Sequence, residues 1–242
     1  MTSTEISPGL VIQGFTPPLK LSNFKLIAFD MDSTLINIEC IDEIADAAGR
    51  KAEVAAITEA TMRGEITDFK DSLRRRLALL EGVSVASMET VYAERLQINP
   101  GAKELIDTCK AAGMKVLLVS GGFTFFADRV KVRLNIDFAR SNLLEIKDGK
   151  LTGKLGMQAW GEICDGEEKR RTVLATCESL GITPKQAIAM GDGANDLPMM
   201  KLCADAGGLS VAYHAKPKVR SEAMVSINAG GLNQLLHVLS QE

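Results

Sequence analysis

Two aspartates at the start of a polar segment give the sharpest local signal in this sequence. The segment is Asp30-Met31-Asp32-Ser33-Thr34, which places two carboxylates two residues apart. One carboxylate could attack phosphorus while the other supplies and later removes a proton, and a magnesium ion could hold the phosphate against the attacking group. A pair of solvated turn aspartates is the alternative, because short motifs recur by chance.

Three further features have residue types that suit a bound phosphate. Ser120-Gly121-Gly122 offers a hydroxyl and unshielded backbone amides, although an ordinary strand-to-helix turn would look the same. The stretch from Gly191 to Asp196, GDGAND, adds carboxylate and amide oxygens, which magnesium prefers; its alternative is a solvent-facing turn. Lys169 could balance the negative charge, although most lysines simply face water.

Short apolar runs precede the three polar clusters and predict buried parallel strands at residues 25–29, 115–119 and 186–190. Residues 209–212 and 224–227 are predicted to form two more strands, and helices are predicted at 102–112 and 168–180. This alternation predicts a parallel sheet with helices on both faces. Ligands bind beyond the carboxyl ends of the strands in such sheets, so we expect the three polar clusters to meet there.

The stretch between the first two predicted strands is longer than a direct crossover needs, so extra structure is expected there. Its apolar residues recur at helical spacing, as in Ile41, Ile44, Ala45 and Ala48. We predict a lead-in at 1–23, a core domain at 24–37 and 97–242, and a helical cap at 38–96. A shorter excursion at 141–155 contains Asp148-Gly149, which predicts a hairpin turn.

The composition argues against several classes of protein. The 242 residues carry a formal net charge of −3, without the basic surplus expected of a protein that binds nucleic acid electrostatically. No apolar run approaches the roughly 18 residues needed to span a bilayer, and the first residues lack the pattern of a secretory signal. The five cysteines include no CxxC pair, so we expect reduced thiols and a cytoplasmic location. The oligomeric state is left open.

The order DMDST, SGG, lysine and GDGAND resembles the phosphatases of the haloacid dehalogenase superfamily. The segments DMDSTLINIECIDEIA at 30–45, LVSGGF at 118–123, GDGANDLPMM at 191–200 and AYHAKP at 212–217 are similar to bacterial phosphoserine phosphatases. The resemblance covers residues 24–236. It implies an α/β fold: a parallel, Rossmann-like sheet with helices on both faces and a small helical cap inserted after the first strand. It also implies hydrolysis of a small phosphate monoester, O-phospho-L-serine, in serine biosynthesis.

The same resemblance implies roles for the acidic residues. Asp30 corresponds to the family's nucleophile, which becomes an aspartyl phosphate, and Asp32 corresponds to its general acid and base. The family binds Mg²⁺ through the nucleophile, a backbone carbonyl and a further aspartate, which here implies Asp30, Asp32 and Asp192. Asp196 would orient water bound to the metal.

Phosphate binding in the family implies Ser120 and Lys169, with Gly121 and Asn195 contacting the phosphate or substrate. Phosphoserine phosphatases also use a glutamate for the substrate ammonium, which here implies Glu39; a helix-start carboxylate is the alternative. Those phosphatases bind the substrate carboxylate through an arginine, and the segment DFKDSLRRR at 68–76 is similar to the family stretch that contains it. Arg76 is our choice, with Arg74 and Arg75 as competitors. The apolar wall of the pocket, or else the cap core, would contain Phe69 and Met62.

Two other functions stay open at this stage. One is a phosphatase or phosphotransferase of the same superfamily that acts on another small phosphate monoester. The other is a non-catalytic phosphate-binding module, which the intact Asp30, Asp32, Lys169 and Asp192 disfavour. The segment GMQAWGEICDG at 156–166 departs from the family patterns, and the sequence predicts no role for it.

Overall fold

The computed structural model describes residues 3–62 and 65–240, without the side chains of residues 61 and 62. The strands in the described part of the chain are β1 (Ser3–Ser7), β2 (Leu10–Gln13), β3 (Leu19–Lys20), β4 (Leu26–Phe29), β5 (Lys115–Phe123), β6 (Phe138–Asn142), β7 (Leu144–Lys147), β8 (Lys150–Leu155), β9 (Ala187–Gly191), β10 (Leu209–Tyr213), β11 (Val225–Ile227) and β12 (Leu239–Ser240). The α-helices there are α1 (Cys40–Ala47), α2 (Lys51–Met62), α3 (Phe69–Ala78), α4 (Val85–Thr90), α5 (Ala102–Ala111), α6 (Thr124–Arg133), α7 (Gly166–Ser179), α8 (Leu197–Asp205) and α9 (Pro217–Glu222).

An eight-stranded sheet with the order β1-β2-β11-β10-β9-β4-β5-β6 forms the centre of the molecule. The strands from β11 to β6 are parallel, and β2 and β1 continue the sheet in antiparallel fashion beyond β11. This arrangement confirms the predicted parallel sheet. The polar clusters at 30–34 and 191–196 lie at the carboxyl ends of β4 and β9, and Ser120-Gly121-Gly122 lies within β5, which extends to Phe123 and not only to the predicted residue 119. The three strands are adjacent in the order β9-β4-β5, so their carboxyl ends meet at one edge of the sheet.

Both faces of the sheet are covered by apolar side chains, which explains why the central strands are uninterrupted apolar runs. Along β4, Ile27 and Phe29 join one core cluster while Leu26 and Ala28 join the other. Side chains of α5 and α6 belong to the first cluster, and side chains of α7, α8 and α9 belong to the second. Burying each large aliphatic side chain contributes about 1.5–3 kcal/mol, so this two-sided core holds the strand ends rigidly.

The N-terminal segment and one edge strand differ from the prediction. The region 1–23 contributes the β1–β2 hairpin to the main sheet, where β2 pairs with β11. Its side chains are mostly exposed in β1, so the sequence has no apolar pattern that would indicate a strand. Strand β6 is also half-exposed, and the sequence did not predict it either.

Four helices, α1 to α4, lie between β4 and β5, in the region predicted to form the cap. The two ends of this region are adjacent, because Ile36 and Ile98 form an antiparallel bridge. The backbone amide of Gln97 also donates to Oδ1 of Asn37 at 2.7 Å. The polypeptide therefore leaves the core and returns to it at neighbouring positions, as an inserted unit requires.

The predicted helices and the predicted hairpin turn are present with small shifts in their ends. Helices α5 and α7 correspond to the predicted 102–112 and 168–180. Strands β7 and β8 form the hairpin around Asp148 and Gly149, which have φ of 51° and 73°. Two consecutive positive φ angles are the geometry that an Asp-Gly turn favours. Among the described residues, no helix combines the length and the apolar character needed to cross a membrane.

Candidate active site

The turn after β4 brings two aspartates to the carboxyl edge of the sheet. The amide of Asp30 donates to the carbonyl of Met190 in β9 at 2.9 Å, so the ladder extends to this residue. Ser33 then adopts φ of 56°, in the left-handed region, and the chain reverses towards α1. Asp30 is buried and Asp32 is partly buried, so neither is the solvated turn aspartate of the alternative interpretation.

Lys169 reaches this edge from the first turn of α7. Its Nζ lies 2.7 Å from Oδ1 of Asp30 and 2.6 Å from Oδ1 of Asp196, and the whole residue is 0% exposed. Burial alone would lower the pKa of Lys169, but the charges of Asp196 and Asp30 outweigh burial and raise it. Lys169 is therefore a permanent cation in the site, not a solvated surface lysine.

The loop after β9 folds around the carboxylate of Asp196. Its Oδ2 accepts hydrogen bonds from the amides of Asp192 and Gly193, at 3.1 and 3.0 Å. A Cβ at position 191 would lie 2.3 Å from Cγ of Asp196, so Gly191 is the residue that lets the loop close. The hydroxyl of Thr34 donates to Oδ1 of Asp192 at 3.3 Å, which connects this loop to the turn after β4.

Three carboxylates gather around the buried side chain of Lys169. Oxygens of Asp30, Asp192 and Asp196 lie within 4.8 Å of one another. Burial, and then the charge of Asp196, raises the pKa of Asp30 well above its usual range despite the opposing effect of Lys169. Burial is the main cause that raises the pKa of Asp192 to about 7, and the negative charges of Asp196 and Glu39 add to it. The surplus of negative charge is what a bound cation would relieve.

The donor set fits a divalent cation that prefers oxygen ligands. Both oxygens of Asp196 already accept hydrogen bonds, from Lys169 and from the amides of the loop. Asp30 and Asp192 therefore have the oxygens that are freer to bind a metal. The roles predicted for the three aspartates, with Asp30 and Asp192 as direct ligands and Asp196 orienting water bound to the metal, stay predictions.

Ser120 and the two glycines that follow it, Gly121 and Gly122, lie close to Asp32. Ser120 is 1% exposed, and its Oγ accepts a hydrogen bond from the amide of Gly122 at 2.9 Å. A Cβ at position 122 would lie 3.1 Å from both Oδ2 of Asp32 and Oγ of Ser120, so a larger residue would crowd the two side chains. Gly121 faces α3, because a Cβ there would lie 3.2 Å from Cζ of Phe69, the first residue of that helix.

The carboxyl group of Asp32 is held on one side and unpartnered on the other. Its Oδ2 accepts a hydrogen bond from the amide of Cys40, in the first turn of α1, at 3.3 Å. Its Oδ1 is buried and has no hydrogen-bond partner in the described part of the chain. Burial, and then the charge of Glu39, raises the pKa of Asp32 to about 7. A buried polar atom without a partner is costly unless a ligand completes it.

The three arginines of α3 have different surroundings. Arg74 is exposed and lies 2.9 Å from Glu162, and the exposed Arg75 lies 2.9 Å from Asp71. Arg76 is partly buried. In the part of the chain that the structure describes, its side chain makes one hydrogen bond, from Nε to the carbonyl of Ser72 at 3.4 Å. Burial lowers the pKa of Arg76, against the nearby charges of Asp42, Glu39 and Asp32. Arg76 is therefore the partly buried arginine of the three, and the charges of Asp42, Glu39 and Asp32 are near enough to affect its pKa.

The remaining predicted phosphate- and substrate-binding residues have different surroundings. Glu39 is exposed just before α1, and its Oε1 accepts from the hydroxyl of Ser33 at 2.6 Å. Phe69 is partly buried against the core cluster and faces Gly121. Asn195 is partly buried on the short helical turn Ala194–Asp196, between Gly193 and Asp196. The side chain of Met62 lies outside the described residues.

Comparison with known proteins places this arrangement in a family. The family model of haloacid dehalogenase-like hydrolases matches residues 27–201. That span contains Asp30, Ser120, Lys169 and Asp192. The chain belongs to this family. The resemblance inferred from the motifs is therefore confirmed.

Individual relatives of this haloacid dehalogenase-like hydrolase are similar over nearly its whole length. A phosphoserine phosphatase of Polaromonas sp. is 70% identical over 239 residues, which cover 99% of this chain and 100% of the relative. A substrate-bound phosphoserine phosphatase structure matches with a TM-score of 0.80 and 37% identity, covering 90% of this chain and 99% of the other. A phospho-aspartyl intermediate analogue of phosphoserine phosphatase has a TM-score of 0.77 at 37% identity, with the same coverage of 90% and 99%.

The segment 156–166, to which the sequence assigned no role, contacts helix α3. Glu162 pairs with Arg74 of α3, and Oδ2 of Asp165 lies 3.5 Å from Nζ of Lys70 in the same helix. Oδ1 of Asp165 also accepts from the amide of Glu168 at 2.8 Å, which caps α7. The segment therefore links α3 to α7, the helix that carries Lys169.

The sequence also did not single out Asn142, which is the last residue of β6, a strand that was not predicted. Its side chain is 0% exposed and connects Gly121 to Cys164 by two hydrogen bonds. The only signal in the sequence is a polar residue between short apolar stretches, and many exposed turns have that pattern.

Proposed function

We propose that this chain is a phosphatase that hydrolyses O-phospho-L-serine to L-serine and phosphate, as the last step of serine biosynthesis. The observation that carries the proposal is the different environment of two neighbouring carboxyl groups. Asp30 is paired with the buried Lys169, while Asp32, whose Oδ2 accepts from the amide of Cys40, keeps a buried Oδ1 that has no hydrogen-bond partner in the described part of the chain. The phosphoserine phosphatase relatives, 70% identical over the whole chain in one case, support the choice of substrate.

Asp30 is the nucleophile in this proposal. An oxygen of Asp30 attacks phosphorus, and the bond between phosphorus and the serine oxygen breaks. Asp32 gives its proton to the departing oxygen, so serine leaves as a neutral alcohol. The product of this half-reaction is an aspartyl phosphate on Asp30. A related phosphoserine phosphatase has been solved as an analogue of such an intermediate.

Water completes the reaction. Asp32 removes a proton from a water molecule, whose oxygen attacks phosphorus and breaks the bond to Asp30. The phosphate leaves, and both aspartates return to their starting protonation states. A carboxyl group with a pKa of about 7 is suited to donating a proton in one step and accepting one in the next.

Lys169 and Ser120 would bind the phosphate oxygens. Lys169 reduces the repulsion between the phosphate and Asp30, because its charge lies 2.7 Å from that carboxylate. The hydroxyl of Ser120 already accepts from the Gly122 amide, so its own proton is free to donate to phosphate. Gly121 and Asn195 lie beside these groups and would complete the contacts.

A divalent cation, which we propose is Mg²⁺, would neutralise charge between the phosphate and the carboxylates. Asp30, the backbone carbonyl of Asp32 and Asp192 would hold it, and Asp196 would orient neighbouring water. Asp196 is well fixed for that role, since three hydrogen bonds hold its carboxylate.

The cap, at 38–96, would recognise the rest of the substrate. Arg76 would bind the serine carboxylate and Glu39 the ammonium group, while Phe69 and Met62 would line the apolar wall. Arg74 and Arg75 already have acidic partners, Glu162 and Asp71, which leaves Arg76 as the arginine that can bind a substrate carboxylate. A guanidinium can grip a carboxylate through two parallel hydrogen bonds, which favours arginine at this position.

A turnover screen tests the substrate assignment. Phosphate release would be measured with and without Mg²⁺ for phosphoserine, O-phosphoethanolamine, which lacks the carboxylate, 3-phosphoglycerate, which lacks the ammonium, and para-nitrophenyl phosphate. We expect the highest kcat/KM for phosphoserine, and free phosphate as the product even when an excess of serine or homoserine is added. A higher kcat/KM for one of the other compounds would contradict the substrate assignment. Transfer of phosphate to the added alcohol would indicate a phosphotransferase.

A further inference from the structure

We infer that Asn142 is a positioning residue that fixes residues 120–122, here called the phosphate-binding loop, relative to α7, the helix that carries Lys169. Asn142 is the last residue of β6 and is 0% exposed. Its Nδ2 donates to the carbonyl of Gly121 at 2.8 Å, and its Oδ1 accepts from the amide of Cys164 at 2.8 Å. A carbonyl can only accept and an amide N–H can only donate, so these two partners fix the orientation of the side-chain amide.

The phosphate-binding loop needs this support because it leaves the sheet. Val119 of β5 pairs with Arg140 of β6, and the next pair along is Phe123 with Asn142. The three residues 120–122 of β5 therefore lie opposite the single residue Ser141. The ladder is interrupted along this bulge, so a buried backbone carbonyl within it needs another partner. The side chain of Asn142 provides that partner for Gly121.

The hydrogen bond at Gly121 also determines the orientation of Ser120. The carbonyl of Gly121 and the amide N–H of Gly122 belong to one planar peptide group, so fixing one fixes the other. That N–H donates to Oγ of Ser120 at 2.9 Å. The hydroxyl proton of Ser120 then points away from Gly122, where it is available to a phosphate oxygen.

The other end of Asn142 fixes the start of α7. Cys164 directly precedes Asp165, whose Oδ1 accepts from the amide of Glu168 and so caps the helix. Lys169 directly follows Glu168 in the chain, and its Nζ contacts Asp30. The carbonyl of Cys164 would lie 3.3 Å from a Cβ at position 121, so the two segments pack closely as well. One buried amide therefore sets the separation between Ser120 and Lys169.

This inference rests on the proposed function, because it assumes that Ser120 and Lys169 bind the phosphate. It predicts that loss of the Asn142 amide weakens phosphate binding and slows turnover in folded protein. A purely structural role predicts a lower melting temperature with unchanged kinetics per folded molecule. The two readouts separate positioning from folding.

The test compares Asn142→Asp, Asn142→Ser and wild type. The aspartate variant keeps the size and the acceptor for Cys164 but loses the donor to Gly121. Ser210→Ala is the matched control. Ser210 lies in strand β10, and the substitution removes its buried hydroxyl, which accepts a hydrogen bond from the amide of Met224 at 3.0 Å. For each protein, kcat and KM on para-nitrophenyl phosphate, the inhibition constant of inorganic phosphate and the melting temperature would be measured.

We expect phosphate to bind at least about tenfold more weakly to both Asn142 variants, and kcat to fall about 10- to 100-fold, because small displacements of positioning groups are costly. Ser210→Ala should keep wild-type kinetics. Phosphate affinity and kcat near wild type in folded Asn142→Asp would overturn the inference. Unfolding of both variants below the assay temperature would also overturn it, since Asn142 would then be needed only for folding.

The readouts do not depend on the identity of the natural substrate. If wild type fails to hydrolyse phosphoserine but the Asn142 variants lose activity on para-nitrophenyl phosphate and affinity for phosphate, the substrate assignment fails and the positioning role stands. If wild type is active on phosphoserine and the variants match it, the positioning role fails alone.

Discussion

Lys169 places its Nζ 2.7 Å from Oδ1 of Asp30, in a site where both side chains are almost completely buried. The same Nζ contacts Asp196 at 2.6 Å, so one cation serves the nucleophile and the carboxylate that fixes the loop after β9. This arrangement couples the chemistry of the site to its stability. It leads to four predictions.

The first prediction concerns the nucleophile. Asp30→Asn should remove turnover almost completely, because an amide oxygen cannot form the phosphoenzyme; loss of a nucleophile costs on the order of 10⁶ in rate in other enzymes. Phosphate release is the measurement, on samples checked by mass spectrometry for deamidation. The control is Asp107→Asn, an exposed carboxylate paired with Lys103 far from the site. Near-normal activity of intact Asp30→Asn protein would exclude the proposed mechanism.

The second prediction concerns Lys169. Lys169→Met should abolish turnover and also lower the free energy of unfolding in metal-free buffer, because breaking a buried ion pair costs about 3–5 kcal/mol. Urea unfolding followed by circular dichroism is the measurement. Adding Asp196→Asn should recover part of the lost stability, since one of the two uncompensated carboxylates is then removed.

Two results would contradict this second prediction. One is unchanged stability in Lys169→Met, which would mean that the carboxylates are not stabilised by the lysine. The other is a double variant whose free energy of unfolding is no higher than that of Lys169→Met alone. Lys103→Met, which removes an exposed lysine, is the control for the loss of a positive charge.

The third prediction concerns the metal. Chelation should abolish activity, Mg²⁺ should restore it, and Ca²⁺ should restore it poorly, because its larger and looser coordination misplaces the nucleophile and the phosphate. Mg²⁺ should also raise the melting temperature of wild type, since it binds the folded carboxylate cluster. Asp192→Asn should reduce that increase. Full activity in metal-free buffer, or the same thermal shift in Asp192→Asn, would contradict the assigned metal site.

The fourth prediction concerns the substrate. Glu39→Gln and Arg76→Ala should lower kcat/KM on phosphoserine far more than on para-nitrophenyl phosphate, which has neither an ammonium nor a carboxylate. Truncating one partner of a buried charged pair costs about 2–5 kcal/mol, which corresponds to a loss of roughly 30-fold or more. Arg74→Ala is the matched control, because Arg74 is exposed and pairs with Glu162.

The ratio of the two kcat/KM values decides between the possible roles of Glu39 and Arg76. An equal loss on both substrates would show that these residues support the fold of the cap. No loss for Arg76→Ala, together with a selective loss for Arg74→Ala, would transfer carboxylate binding to Arg74.

The sequence determined the features of this protein that depend on residues close together in the chain. The apolar runs before Asp30, Ser120 and Gly191 are visible because strands buried on both faces must be apolar throughout. The Asp148-Gly149 turn is visible because consecutive positive φ angles restrict the residue types. The parallel order of the strands then placed the polar clusters at one edge, so most of the candidate site followed from local signals.

Only the tertiary structure decided which distant groups meet. The β1–β2 hairpin and β6 lie in half-exposed or edge positions, where the sequence is not forced to be apolar. Arg74, Arg75 and Arg76 are identical in type, and they differ only in what the fold places beside them. Asn142 acquires its contacts from Gly121 and Cys164, 21 and 22 residues away. A hydrogen bond between distant residues leaves no periodicity in the chain, because its geometry exists only after the sheet and its helices have packed.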